Sequence, residues 1–193
     1  MLRRNILKGG CTIACAMATG ANAFPALAGP TNGSPGPAQR VSMKFAGALR
    51  AIGSDACIAA AQRLEVGEGG NGDISLHLRR ANLNTADVIV FARAMSGLTD
   101  GEGLTLGSLS LSYNPGIGDS GASVVARALP DTLTELGLVG CGIGDQGGEA
   151  LLHWAGNAGR LRMICVEDNL FPDETKTRFV ALARAKYNLY VVV

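Results

Sequence analysis

The chain has 193 residues, enough for one domain with its own core, and a net charge of +1 gives no electrostatic case for nucleic acid or an anionic membrane. Hydrophobic residues make up 47% but aromatic ones only 5%, so the apolar content is mostly Leu, Ala, Val and Ile, which suits thin, regular layers. With 27 Gly, turns must recur often, and with two His and no cluster of Cys or carboxylates neither a metal nor a cofactor is implied.

Residues 1–28 read as an export signal. Arg3, Arg4 and Lys8 make a basic start. Cys11 to Ala21 form a short, mildly apolar stretch, too short to span a bilayer core of about 30 Å as a helix. Ala21-Asn-Ala23 and Ala26-Leu-Ala28 are both small-x-small cleavage candidates. Arg3-Arg-Asn-Ile-Leu-Lys8 resembles the bacterial twin-arginine signal, although the usual Ser or Thr before the arginines is missing. That resemblance implies a bacterial source and a periplasmic or secreted location, with general secretory export as the alternative. No stable membrane insertion is expected once the signal is cut.

Gly29 to Arg40 is rich in Gly, Pro and Ser and reads as a disordered linker. Residues 41–72 are expected to form a helical N-terminal cap. Met43, Ala46, Leu49, Ile52, Ala56 and Ala60 recur at three- or four-residue steps, as on one helix face, with an interruption at Gly53-Ser-Asp55. Gly67 to Gly72 is a loop.

From 73 to 193 the chain repeats itself. Leu109-Ser-Leu-Ser-Tyr-Asn-Pro-Gly-Ile-Gly-Asp-Ser-Gly121 returns as Leu136-Gly-Leu-Val-Gly-Cys-Gly-Ile-Gly-Asp-Gln-Gly147. Corresponding strand positions are Leu76, Leu109, Leu136, Ile164 and Val191, at steps of 33, 27, 28 and 27 residues. The longer first step places an insertion between Gly97 and Gly103. Each unit has a strand, then a polar ladder position (Asn114, Cys141 and Asn169, with Ala81 in the first unit). A helix-capping position follows at Thr85, Asp119, Asp145 or Asp173. Helices are predicted over Ala86–Ser96, Gly121–Leu129, Gly147–Ala155 and Glu174–Lys186. Phe91, Val125, Leu151 and Phe179 lie six residues after their caps, at one depth in the core. The departure at Ala81 predicts a looser first unit.

This pattern resembles the leucine-rich repeats, L-x-x-L-x-L-x-x-N/C-x-L, and the I-G-D-x-G phrase resembles their ribonuclease-inhibitor-like subclass. The resemblance implies an α/β solenoid: four units plus a terminal strand, about five short parallel strands, and helices on the convex side. It also implies a non-catalytic module that binds a protein partner of unknown identity, with no cofactor and as a monomer. A bacterial effector that binds host protein is the alternative; a hydrolytic enzyme or a structural remnant are further ones.

Side chains alternate across a strand, so residues between the inward leucines face the concave side. The candidate partner-binding residues there are His77, Arg79, Arg80, Ser110, Tyr113, Glu135, Met163, Cys165, Glu167 and Asp168. They run from basic through small and neutral to acidic, with Tyr113 as an anchor. Cys165 is expected as an exposed thiol, Cys141 as a buried ladder residue and Cys57 as packed among the leading helices. His77, Ser110 and Glu135 sit on neighbouring strands, the arrangement a hydrolase would need, but an open sheet excludes little water. The glycine-rich turn at Gly116–Gly121 could cradle phosphate. Its recurrence at Gly142–Gly147 makes it a structural turn instead.

Overall fold

The computed structural model describes residues 36–66, 73–95 and 105–193. The export signal, most of the linker, the Gly67–Gly72 loop and the insertion at Gly97–Gly103 lie outside the described residues.

Two helices come first, α1 (Pro37–Ile52) and α2 (Asp55–Glu65). α1 takes in Pro37 to Arg40, which the sequence assigns to the linker; that boundary is corrected. A proline opens the helix, where its missing backbone N–H costs nothing. α1 ends at Gly53, whose left-handed φ of 79° lets its N–H close on the Leu49 carbonyl. Ser54 then caps α2 by accepting from the Cys57 N–H (3.3 Å). Phe45, Leu49, Cys57, Ala60 and Leu64 bury the faces where the two helices meet the core. Arg50 reaches both Glu65 carboxylate oxygens across the pair (2.8 and 2.6 Å). α1 packs on α3 (Thr85–Met95), with the Phe45 and Phe91 rings 5.1 Å apart, and α2 meets β1 (Asp73–His77).

Beyond β1 the strands are β2 (Thr105–Ser110), β3 (Glu135–Gly137), β4 (Met163–Cys165) and β5 (Tyr190–Val192). The helices α4 (Gly118–Ala128), α5 (Asp145–Asn157) and α6 (Asp173–Ala185) fall between them. One parallel sheet runs β1-β2-β3-β4-β5, as the repeats predict. Its register sets Leu76, Leu109, Leu136, Ile164 and Val191 in a single row. That row and the helical Phe91, Val125, Leu151 and Phe179 are buried in one core. Between β1 and β2 the register slips at Ile74/Ser75, so that Gly107 is the extra residue.

The ladder positions tie each unit to the one before it. Asn114 Nδ2 donates to the carbonyls of Leu78 (2.9 Å) and Leu111 (2.6 Å), and its Oδ1 accepts from the Leu83 N–H (3.0 Å). Asn169 Oδ1 accepts from the N–H groups of Cys141 (2.9 Å) and Ile143 (3.1 Å), while Nδ2 donates to Leu138 (2.7 Å) and Val166 (2.8 Å). The first turn is closed from the second unit by Asn114, whatever residue stands at Ala81.

The predicted helix caps need a larger correction. Asn84, not Thr85, caps α3: its Oδ1 accepts from the Ala86 N–H (2.8 Å), and Asp87 accepts in return from the Asn84 N–H (2.9 Å). Thr85 donates forward to the Ile117 carbonyl (3.1 Å). Asp119 also serves the next unit, its Oδ1 accepting from the N–H groups of Gly144 (2.9 Å) and Gly147 (2.7 Å) at the start of α5. Asp145 accepts from the Thr175 hydroxyl of α6. Asp173 makes no cap bond and lies 3.7 Å from Lys176. Thr85, Asp119 and Asp145 therefore join units instead of capping their own helices, while Asp173 stays within α6. The glycine in I-G-D-x-G is what allows the approach. A Cβ at Gly147 would stand 2.8 Å from Asp119 Oδ1 and 2.6 Å from Ile143 Cγ2. At the Gly142–Gly147 turn Asp119 already holds the Gly144 and Gly147 N–H groups that a phosphate would need, as a structural turn requires.

Candidate partner-binding face

The strand register turns the concave face into columns. Ser75, Ser108, Glu135, Met163 and Tyr190 form one; His77, Ser110, Gly137, Cys165 and Val192 form the next. Past the strand ends, the turn backbone continues the ladder, with the N–H groups of Tyr113 and Gly140 on the carbonyls of Val139 and Glu167. There Arg80, Tyr113, Gly140 and Asp168 occupy one position in successive units, all with left-handed φ between 53° and 62°.

At the first turn the two arginines converge on one ring. The Arg79 and Arg80 guanidiniums lie 5.1 and 4.9 Å from the centre of the Tyr113 ring, in cation–π geometry. Gly140 leaves the room: a Cβ there would come within 3.1 Å of Tyr113 Cδ1. Arg79 and Tyr113 are half-buried and Arg80 exposed. In the middle of the face Ser108 donates to Glu135 (3.1 Å). Toward β5 the surface turns apolar, and Val139, Cys165 and Val192 form a buried cluster with Tyr113 and Met163 packed against it. Glu167 is half-buried beside it and Asp168 exposed.

Two site expectations change. Cys165 is not an exposed thiol; it is fully buried and disulfide-bonded. Ser110 is also buried, and its hydroxyl turns along its own strand onto Ser112 (3.4 Å). His77, its neighbour in register, stays exposed at the end of β1. Sequence proximity of His77, Ser110 and Glu135 thus does not become a base held on a nucleophile. Cys57 and Cys141 are free, buried thiols. Cys141 donates to the Leu111 carbonyl (3.3 Å), and burial pushes its pKa up to about 11. Val192 and Tyr190 belong to the face but were missing from the candidates; the same period of two, carried into the last strand, would have found them.

A family model described as Leucine Rich repeat matches residues 104–126 and 131–152. These spans hold β2, α4, β3 and most of α5, the units in which the repeated phrase is most regular. Two segments of the chain thus match leucine-rich repeats. No curated protein matches the chain. Its repeats make a short solenoid with the helices on one side of the sheet, and this fold suits a protein-binding module. Among the described residues no helix is long and apolar enough to cross a membrane, and no group of three or more His, Cys, Asp or Glu could hold a metal ion.

Proposed function

We propose that this leucine-rich-repeat chain is an exported, non-catalytic module of the ribonuclease-inhibitor-like subclass that binds one protein partner on its concave face. It acts as a monomer in the periplasm or outside the cell. The observation that supports this is the Tyr113 ring set against Arg79 and Arg80 at one end of a face that becomes apolar and then acidic at the other. Tyrosine and arginine are the side chains most enriched where interfaces concentrate their binding energy. The graded charge gives a partner one orientation along the sheet. The carboxyl-end residues Glu167 and Asp168 supply the opposite sign.

Affinity capture from the cell envelope and the culture medium tests it. Wild type is compared with a chain carrying Arg79→Glu and Tyr113→Ala. The variant is expected to fold, by circular dichroism, and to lose the partners that wild type retains. Equal recovery of the same proteins by both would end the concave-face reading. For export, changing Arg3 and Arg4 to Lys is expected to hold the uncut chain in the cytoplasm, and N-terminal sequencing of the mature chain should begin after Ala23 or Ala28.

A further inference from the structure

The row of left-handed turn residues carries more side chain than the turns require. Gly140 takes that conformation freely, whereas a residue with a Cβ is strained there. Arg80, Tyr113 and Asp168 nonetheless hold it in the other three units. Arg80 and Asp168 are both exposed. Among the described residues no carboxylate pairs with Arg79 or Arg80, and no cation pairs with Asp168. The two guanidiniums lie 5.1 and 4.9 Å from one ring centre, so two like charges stand within about 10 Å of each other and attract an anion.

The anion that fits is a carboxylate. Turns that bind phosphate supply backbone N–H groups as well as a cation. Here those groups are already used: the N–H groups of Arg80, Tyr113 and Gly140 donate to the carbonyls of Ser112, Val139 and Glu167 (3.1, 2.6 and 3.0 Å). A planar carboxylate needs only the fork of an arginine. At the far end of the row Asp168 offers the opposite charge. Three strand spacings of about 4.8 Å set it roughly 14 Å from Arg80 along the turns. The Arg80 guanidinium leans over Tyr113, one unit nearer, so the two charges stand about 10–14 Å apart. An extended chain crosses that distance in about three or four residues. Between the charges lies the half-buried Tyr113 ring, seated against Gly140, a surface for an apolar side chain.

We propose that the partner is recognised through an extended segment that crosses this row of turns, a specificity that rests on the binding reading above. An Asp or Glu of the segment meets Arg79 and Arg80, and an apolar side chain covers the Tyr113 ring. A Lys or Arg about three or four residues from the acid meets Asp168. With the N–H groups of Arg80, Tyr113 and Gly140 spent on the ladder, side chains carry the recognition, and either direction of crossing satisfies it.

The probe is a phage-displayed library of random linear peptides, selected on the immobilised full chain. Wild type is expected to enrich peptides with an acid and a base at that spacing and an apolar residue between them. Synthetic copies with either charged residue changed to Ala should bind about tenfold more weakly, the loss of one charge-assisted contact. Asp168→Arg is expected to select acids at both places, and Arg79→Glu/Arg80→Glu bases at both, with circular dichroism reporting that each variant folds. The alanine peptides are measured on wild type alone, so the result does not depend on either variant. No enrichment, enriched peptides without the paired charges, or a charge pattern that both folded variants leave unchanged overturns the proposal. Failure of the binding reading looks different, since there the Arg79→Glu/Tyr113→Ala chain captures the same envelope proteins as wild type. A chain that captures partners through Tyr113 but selects uncharged peptides loses only the order of acid, apolar residue and base.

Discussion

The turns after β2 and β3 do the same job with different atoms. In the turn that follows β1, Leu83 N–H and the Leu78 carbonyl are satisfied by the Asn114 amide, one unit on. In the turn that follows β3, Ile143 N–H and the Leu138 carbonyl go to the Asn169 amide in the same way. The turn between them has only the thiol of Cys141, which reaches the Leu111 carbonyl. That turn is closed by backbone groups instead, one within it and one from the next unit. The Ile117 N–H bonds the Asn114 carbonyl (3.1 Å), and the Gly118 N–H, at a left-handed φ of 55°, bonds the Cys141 carbonyl (3.0 Å). A thiol is a weak single donor, whereas an amide offers two donors and an acceptor. A ladder cysteine is therefore tolerated where the turn has already satisfied its N–H groups.

The largest test of that difference is a pair of truncations. Asn114→Ala strands the Leu83 N–H and the Leu78 carbonyl inside the protein and leaves the Leu111 carbonyl with only the Cys141 thiol, and at about 1–3 kcal/mol for each unsatisfied group a loss of about 4 kcal/mol is expected. Cys141→Ala removes one weak bond and little volume, and should cost about 1 kcal/mol. Urea denaturation read by circular dichroism checks both. If the two variants lose the same stability, the turns are equivalent and the contrast fails.

How much of this was written in the sequence differs between tiers. The strand row from Leu76 to Val191 and the depth of Phe91, Val125, Leu151 and Phe179 were legible, because burial repeats with the chain and composition records it. The ladder was legible as a position but not as a direction. Asn114 looks the same in sequence whether it serves its own turn or the one before it. The caps failed for a related reason. Asp119 stands where a cap belongs, and only the spacing of neighbouring units, fixed by Gly147, reveals that its carboxylate serves α5. Within the strands the period of two set His77, Ser110 and Cys165 in one register column, yet could not report what lies above it. Hence Cys165 reads as exposed in sequence and is buried in the fold.

Alkali sharpens the same contrast, since the amide of Asn114 does not titrate and the thiol of Cys141 does. Burial raises the Cys141 pKa from 9.0 to about 11. The fold prefers the protonated thiol, so its contribution is full below the unfolded-state value near 9 and is lost as pH rises from there through about 11. Two units at roughly 1.4 kcal/mol each set the size at about 3 kcal/mol. Stability measured against pH should fall across that window in wild type and much less in Cys141→Ala. Cys57, also raised by burial, contributes in the same direction and leaves a residual slope in the variant.

A smaller effect is expected at Asp119, which strengthens the interface where the ladder is only a thiol. Its carboxylate receives two N–H groups at the start of α5, where a negative charge also meets the helix dipole. Asp119→Ala should cost about 1–2 kcal/mol, the usual range for a lost cap. Because Asp119 and Cys141 tie the same two units, their losses should not simply add in a double-mutant cycle. Additive values would mean that the two ties act independently and that neither compensates for the other.

The smallest effect on folding belongs to the arginines above Tyr113, and there the contrast is between scaffold and face. Each guanidinium sits near one ring at a solvent-accessible edge, worth about 0.5–1 kcal/mol. The two share that ring, so removing Arg79 leaves Arg80 in place, and the loss of stability should be below about 0.5 kcal/mol. Partner capture should respond in the opposite order. Asn114 lies beneath the face and shapes it only through the turn, while Arg79 would meet a partner directly. Arg79→Ala is thus expected to weaken capture with the denaturation midpoint nearly unchanged. A variant that lost stability and binding in proportion would show instead that the arginine–tyrosine stack belongs to the scaffold, where the repeats already supply the neighbours it needs.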